Sequence, residues 1–265
     1  MKYTKKLILF ASFLALCMQF PMYAQAMPQD NWYLEREFTS SSIGGMKNPT
    51  GLSFGPDGKI SICEYDKNRV QILDINGTPL STITGTSQPL DSVFAGGKLY
   101  VTCHGNRFVK VFDLDGTFLF NLGSYGSGNG QFDRPYGIAA DYNGSNLEIF
   151  ISDPGRDRVQ VFSEDGTFLR KFSSINGDPR EIAVDENGLL YVGDKADLVN
   201  VFDKTGAIVN TISGLSGEPW GVSVYGNRLA VGNSHSEVNK VRIYDINGSF
   251  IKEFGSRGDA NGQFN

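Results

Sequence analysis

Residues 135–141 read P-Y-G-I-A-A-D, and they are followed by I-F-I-S-D at 149–153, R-V-Q-V-F at 158–162 and D-G-T-F-L-R-K-F at 165–172. Each run is about five residues long, rich in β-branched and aromatic types, and set off from the next by Gly, Asn or Asp. That is the chemistry of strands joined by turns, and no window keeps the 3.6-residue period of a helix. The same four-run sentence recurs. Prolines open it at Pro49, Pro89, Pro135, Pro179 and Pro219, spaced 40, 46, 44 and 40 residues apart. Between the third and fourth runs stand D-I-N-G from Asp74, D-L-D-G from Asp113, S-E-D-G from Ser163, D-K-T-G from Asp203 and D-I-N-G from Asp245. An Asp or Ser that can bond the backbone ahead, followed by a Gly that accepts positive φ, specifies a tight hairpin. The N-G-T and N-G-S triplets at Asn76, Asn143 and Asn247 therefore read as turn grammar before they read as glycosylation sequons.

Four antiparallel strands repeated at this period describe the blade of an all-β propeller. The Trp-Asp dipeptide of WD repeats is absent. The wording of the unit at 135–172 instead resembles the NHL repeat, and the resemblance runs five times through residues 32–265. Asp91 and Glu181 depart from it by replacing the early Gly of the unit. The repeats fall at about 47–86, 87–132, 133–176, 177–216 and 217–258 of a propeller taken as 27–265. The resemblance implies six blades. N-W-Y-L-E-R-E-F from Asn31 matches a fourth-strand segment, and G-S-R-G-D-A-N-G-Q-F at 255–264 repeats G-S-Y-G-S-G-N-G-Q-F at 123–132, the phrase that leads into the third unit. The expected fold is thus five complete four-stranded blades plus an N-terminal strand, Tyr33 to Phe38, of a truncated six-bladed ring.

Ahead of the repeats, Lys2, Lys5 and Lys6 precede an apolar run from Leu7 to Leu16, and Ala24-Gln25-Ala26 follows. This is the form of a signal peptide at 1–26, so an exported chain, periplasmic or secreted, is expected. The run is too short for the roughly 20 residues that a spanning helix needs, and no stable membrane insertion is expected. The whole chain carries 24 basic and 29 acidic side chains, a formal charge of −5. Without the three leader lysines the balance is 21 − 29 = −8. Nucleic acid is a poor partner for such a surface, because that affinity rests on clustered Lys and Arg. Cys63 and Cys103 sit one position out of step on neighbouring second strands. Alternation then points them to opposite faces, and two free thiols are expected.

Propeller function is written at the ends of strands, where one repeat differs from the next. After each opening proline stand Thr50, Leu90, Tyr136, Arg180 and Trp220, expected to line one mouth of the central channel. Aromatics and Arg are the residue types that dominate binding hot spots, so a non-catalytic role in binding a protein, peptide or glycan is the first expectation. The alternative is a metal-dependent hydrolase or lyase. Glu64, Asp153, Asp194 and Asn233 close the second strands and offer oxygens to a hard cation such as calcium. Gluconolactonase-like propellers are similar in architecture. An amidating-lyase-like zinc site would call on His104, His235 and Cys103. No G-x-S-x-G or P-loop is present. No cofactor is expected on the first reading, and a divalent calcium or zinc ion on the second.

Overall fold

The computed structural model describes residues 45–173, 177–215, 217–233 and 239–258. The leader at 1–26, the segment 33–38 expected to close a sixth blade, His235 and the terminal phrase from residue 259 onward lie outside the described residues. Five four-stranded antiparallel sheets follow one another along the chain, at 49–83, 89–122, 138–173, 182–212 and 219–254. They stand as blades in a ring, with their strands in simple order from the inside out. The innermost strands are Pro49–Phe54, Pro89–Ala95, Ile138–Asn143, Ile182–Val184 and Pro219–Tyr225, and each of the first four packs against the innermost strand of the next blade. Among the described residues no helix is long and apolar enough to cross a membrane.

The hairpins form as their sequences require. Asp74 Oδ1 accepts the backbone N–H groups of Asn76 at 2.8 Å and Thr78 at 2.7 Å, and Gly77 supplies φ +83°. The bond from Thr78 does most to hold the Asp74 carboxyl below the usual carboxylate range. Asn76 and Asn247 are turn residues in this construction, and Asp113, Asp203 and Asp245 repeat it. One regularity was not legible beforehand. In every blade the register slips near the end of the third strand, as between Ile72 and Leu73 or Val161 and Phe162, a bulge that sharpens the twist of the outer pair.

The core is laid down between blades rather than within one. Val101 and Phe112 of the second blade pack on Val70 and Ile83 of the first, and Ile149 and Ile151 of the third pack on Tyr100 and Val111 of the second. Cys63 and Cys103 are both fully buried and unpaired. They do point to opposite faces of their own blades, but because the blades are neighbours both thiols enter the same apolar layer. Burial raises both thiols, Cys103 to about 11.

The phrase at 123–132 is a brace. Ser124–Tyr125 and Gln131–Phe132 pair in parallel, and the Phe132 ring, wholly buried, lies 5.5 Å from that of Phe162. Arg158 ties the loop down, donating to the carbonyls of Ser127 at 3.0 Å and Gln131 at 2.6 Å.

Candidate binding site at the channel mouth

The residues after the five repeat prolines come together. Thr50, Leu90, Tyr136, Arg180 and Trp220 all line one cavity of about 550 Å³, together with Tyr65, His104, Arg134, Asp178 and Glu181. Their placement follows from how adjacent blades are stitched. A hydroxyl near the end of each of two second strands reaches into the next blade: Thr102 Oγ1 donates to the carbonyl of Tyr136, and Ser152 Oγ to that of Arg180, both at 2.6 Å. Thr50 Oγ1 donates to the carbonyl of Pro89 at 3.0 Å. Mouth residues are thereby fixed at the backbone while their side chains stay free to differ.

Arg180 is the most constrained of the five. Its guanidinium lies 3.9 Å from the Trp220 ring centroid and pairs with Glu218 at 3.0 Å and Asp178 at 3.3 Å. Trp220 remains 43% exposed, so an apolar surface is held open to solvent at the rim. Burial holds the Tyr136 phenol protonated well above its ordinary range, an effect that the acidic charge of Glu181 strengthens. Arg134 reaches toward Asp178 at 3.9 Å. His104 is held below the ordinary imidazole range first by burial and then by Arg134, and its Nδ1 is buried without a hydrogen-bond partner.

The second set of expected site residues does not join this cavity. Glu64, Asp153, Asp194 and Asn233 are each almost wholly buried and committed to loops of their own blades. Glu64 accepts from the backbone of Lys47 and from the Arg69 guanidinium. Asp153 accepts from the backbone N–H groups of Asp133 and Arg134 and from Arg158 at 3.2 Å. Asp194 takes the Ala196 backbone N–H and the Asn200 amide, and Asn233 donates to the carbonyls of Leu215 and Gly217. The end of the second strand was identified correctly, but these side chains are taken up by the neighbouring loops of their own blades and do not line the mouth. They serve as loop clasps. Among the described residues no group of three or more His, Cys, Asp and Glu is placed to hold a metal ion.

What the sequence did not reveal is a pair of acids, Glu181 lining the cavity and Asp91 buried behind it. Asp91 and Glu181 hydrogen-bond to each other, which requires that one of them carry a proton. Asp91, 5% exposed, also accepts from the backbone N–H groups of Ser92 at 2.8 Å and Ile138 at 3.0 Å. Those donors favour its ionised form. Burial pushes both carboxyls up, and because the two backbone donors favour the ionised form of Asp91, the shared proton falls to Glu181, the member that lines the cavity. The only sequence signal was that both replace the Gly of the repeat.

No family model matches the chain. Segments of it are similar to curated NHL-repeat proteins: 28% identical over 102 residues to Protein brain tumor of Drosophila melanogaster, and 43% over 58 residues to RING finger protein nhl-1 of Caenorhabditis elegans. These segments are 38% and 22% of this chain but only 10% and 6% of those much longer proteins. Among solved structures, a chain of the Nidogen/Laminin complex superposes with a TM-score of 0.72 at 20% identity, covering 85% of this chain and 86% of that one. A streptogramin B lyase gives 0.63 at 19%, covering 78% and 68%. Identities this low speak for the fold alone. The blade topology and these likenesses agree: the chain is a β-propeller, and segments of it are similar in sequence to NHL-repeat proteins.

Proposed function

We propose that this is an exported, non-catalytic binding propeller that holds a peptide segment of a protein partner in the channel mouth. One observation carries the reading. The five positions at which the repeats differ most tellingly, Thr50, Leu90, Tyr136, Arg180 and Trp220, all line a single cavity of about 550 Å³. That volume falls in the range of built ligand sites, and its aromatic and Arg side chains are hot-spot types held in place before any ligand arrives. The curated relatives and the Nidogen/Laminin complex support a role in protein assembly by likeness of repeat and of shape. Export rests on the form of residues 1–26.

The test is direct. Fluorescently labelled protein is applied to peptide and glycan arrays beside a Tyr136→Ala/Arg180→Ala/Trp220→Ala variant whose fold is checked by circular dichroism. Peptide signals that vanish in the variant are expected. Signals that survive it would remove the mouth as the site, and signals on glycans alone would replace the peptide with a sugar.

A further inference from the structure

We infer that the mouth selects a cationic group, a lysine side chain or other primary ammonium, and that Glu181 is the residue that reads it. This rests on the binding role proposed above and names the chemistry of what is bound.

The charges at the mouth are unequal. Arg180 is already spent between Glu218 and Asp178 and against Trp220, and Arg134 leans on the same Asp178. Those two cations face Asp178, Glu218, Asp91 and Glu181. With one proton shared by the last two, the cluster still carries one net negative charge, and that charge sits on the acid pair. A carboxylate partner would meet this charge and two guanidiniums that are already paired. An ammonium would meet Glu181, with the buried Asp91 behind it, and Tyr65, Tyr136 and Trp220, which line the same cavity. Aromatic faces attract cations further.

Gly137 belongs to the blade between those of the two acids, and its backbone packs closely on the next one: a Cβ there would stand 2.5 Å from the carbonyl of Arg180 and 3.0 Å from the Cα of Glu181. When an ammonium enters, Glu181 releases its proton to solvent and becomes a second carboxylate, so the site gains a charge only when a cation is present to balance it. Uptake of the cation and loss of the proton are linked, and binding strengthens as pH rises. The groups facing the pair are Tyr136 and Arg180 at the mouth, Asp178 beside them and Cys63 from the first blade. Burial keeps Tyr136 and Cys63 protonated throughout the neutral range. His104 also lines the cavity and titrates, and the variant below separates its contribution.

The experiment uses Trp220 as reporter in a Trp32→Phe background, which leaves one of the two tryptophans. The probes are acetyl-Ala-Lys-Ala-amide, acetyl-Ala-Gln-Ala-amide and acetyl-Ala-Glu-Ala-amide. The lysine peptide is expected to bind about fivefold tighter than the glutamine peptide, the scale of one cation–π contact with a carboxylate beneath it. Its affinity is expected to rise with pH as Glu181 gives up its proton. Glu181→Gln should abolish both the preference and the Glu181 part of the pH dependence while the chain stays folded. Equal binding of the lysine and glutamine peptides, tighter binding of the glutamate peptide, no saturable response to the lysine peptide, or a lysine preference that survives Glu181→Gln would each overturn the inference. Loss of array signals in the triple variant without any lysine preference would leave the mouth as the site and remove only its charge selectivity.

Discussion

The same repeat position is occupied in two ways around the ring. In the first, third and fifth blades it is Gly51, Gly137 and Gly221; in the second and fourth it is Asp91 and Glu181. At two of the glycines the next blade leaves no room. A Cβ at Gly51 would come within 2.4 Å of the Asp91 Cα, and one at Gly137 within 2.5 Å of the Arg180 carbonyl oxygen. The acids occupy the volume those glycines vacate. At Gly51 and Gly137 the inner strand of the next blade comes too close for both blades to carry a side chain. Those two glycines are thus a packing requirement, whereas the acids beside them are a chemical opportunity.

That contrast breaks most sharply at Gly137. Its Ala variant must push a methyl group into the backbone of 180–182, where nothing flexible can yield. A loss of about 3 kcal/mol is expected from overpacking of this kind, read as the shift of the urea midpoint. Asp91→Asn should cost less, about 1–3 kcal/mol. The amide that replaces the carboxylate can accept only one of the two backbone N–H groups now bound, leaving the Ser92 or Ile138 donor unsatisfied in a buried place. An Asn variant as stable as the parent would show that the pair does not hold these donors in solution.

How much of this was legible depends on sequence distance. Strands, hairpins and blade order follow from neighbours within a few residues, as at Asp74, Asn76 and Gly77, and a 40-residue period then fixes which residues share a height on the ring. For that reason Tyr136, Arg180 and Trp220 could be assigned to one mouth from spacing alone. The Asp91–Glu181 contact joins positions two blades apart, and nothing in either local phrase states that the two side chains meet. The clasp residues Glu64, Asp153, Asp194 and Asn233 failed for a different reason. Their position was right, but whether a strand-end carboxylate meets a ligand or a loop amide depends on its facing, and here the loop amides took them.

The acid pair sharpens the comparison through pH. A carboxyl whose pKa is raised by folding binds its proton more tightly in the native state, so its contribution falls as pH rises from its unfolded value near 4 through the folded one. For Asp91 the folded value is about 6, and Glu181 lies higher. Other carboxyls, among them Asp74 and Glu148, are lowered and contribute with the opposite sign, so the raw profile mixes the two. The difference between Glu181→Gln and the parent isolates the pair. The variant should gain on the parent as pH rises from about 4 through the neutral range. A difference that stays constant across that range would mean that no proton is shared by the pair.

The smallest effect is expected where the pattern ends. Gly221 holds the repeat position of Gly51 and Gly137, yet among the described residues nothing lies within 4 Å of a Cβ built there, and its φ is not in the left-handed region. Neither crowding nor backbone strain then opposes a methyl group, and Ala restricts the unfolded chain more than Gly does. Gly221→Ala should leave stability unchanged or raise it by about 0.5 kcal/mol. The test of the comparison is the gap between this variant and Gly137→Ala under identical denaturation. If the two lost equal stability, the glycines would be required by the strand itself, and the acids of the adjoining blades would have no part in fixing them.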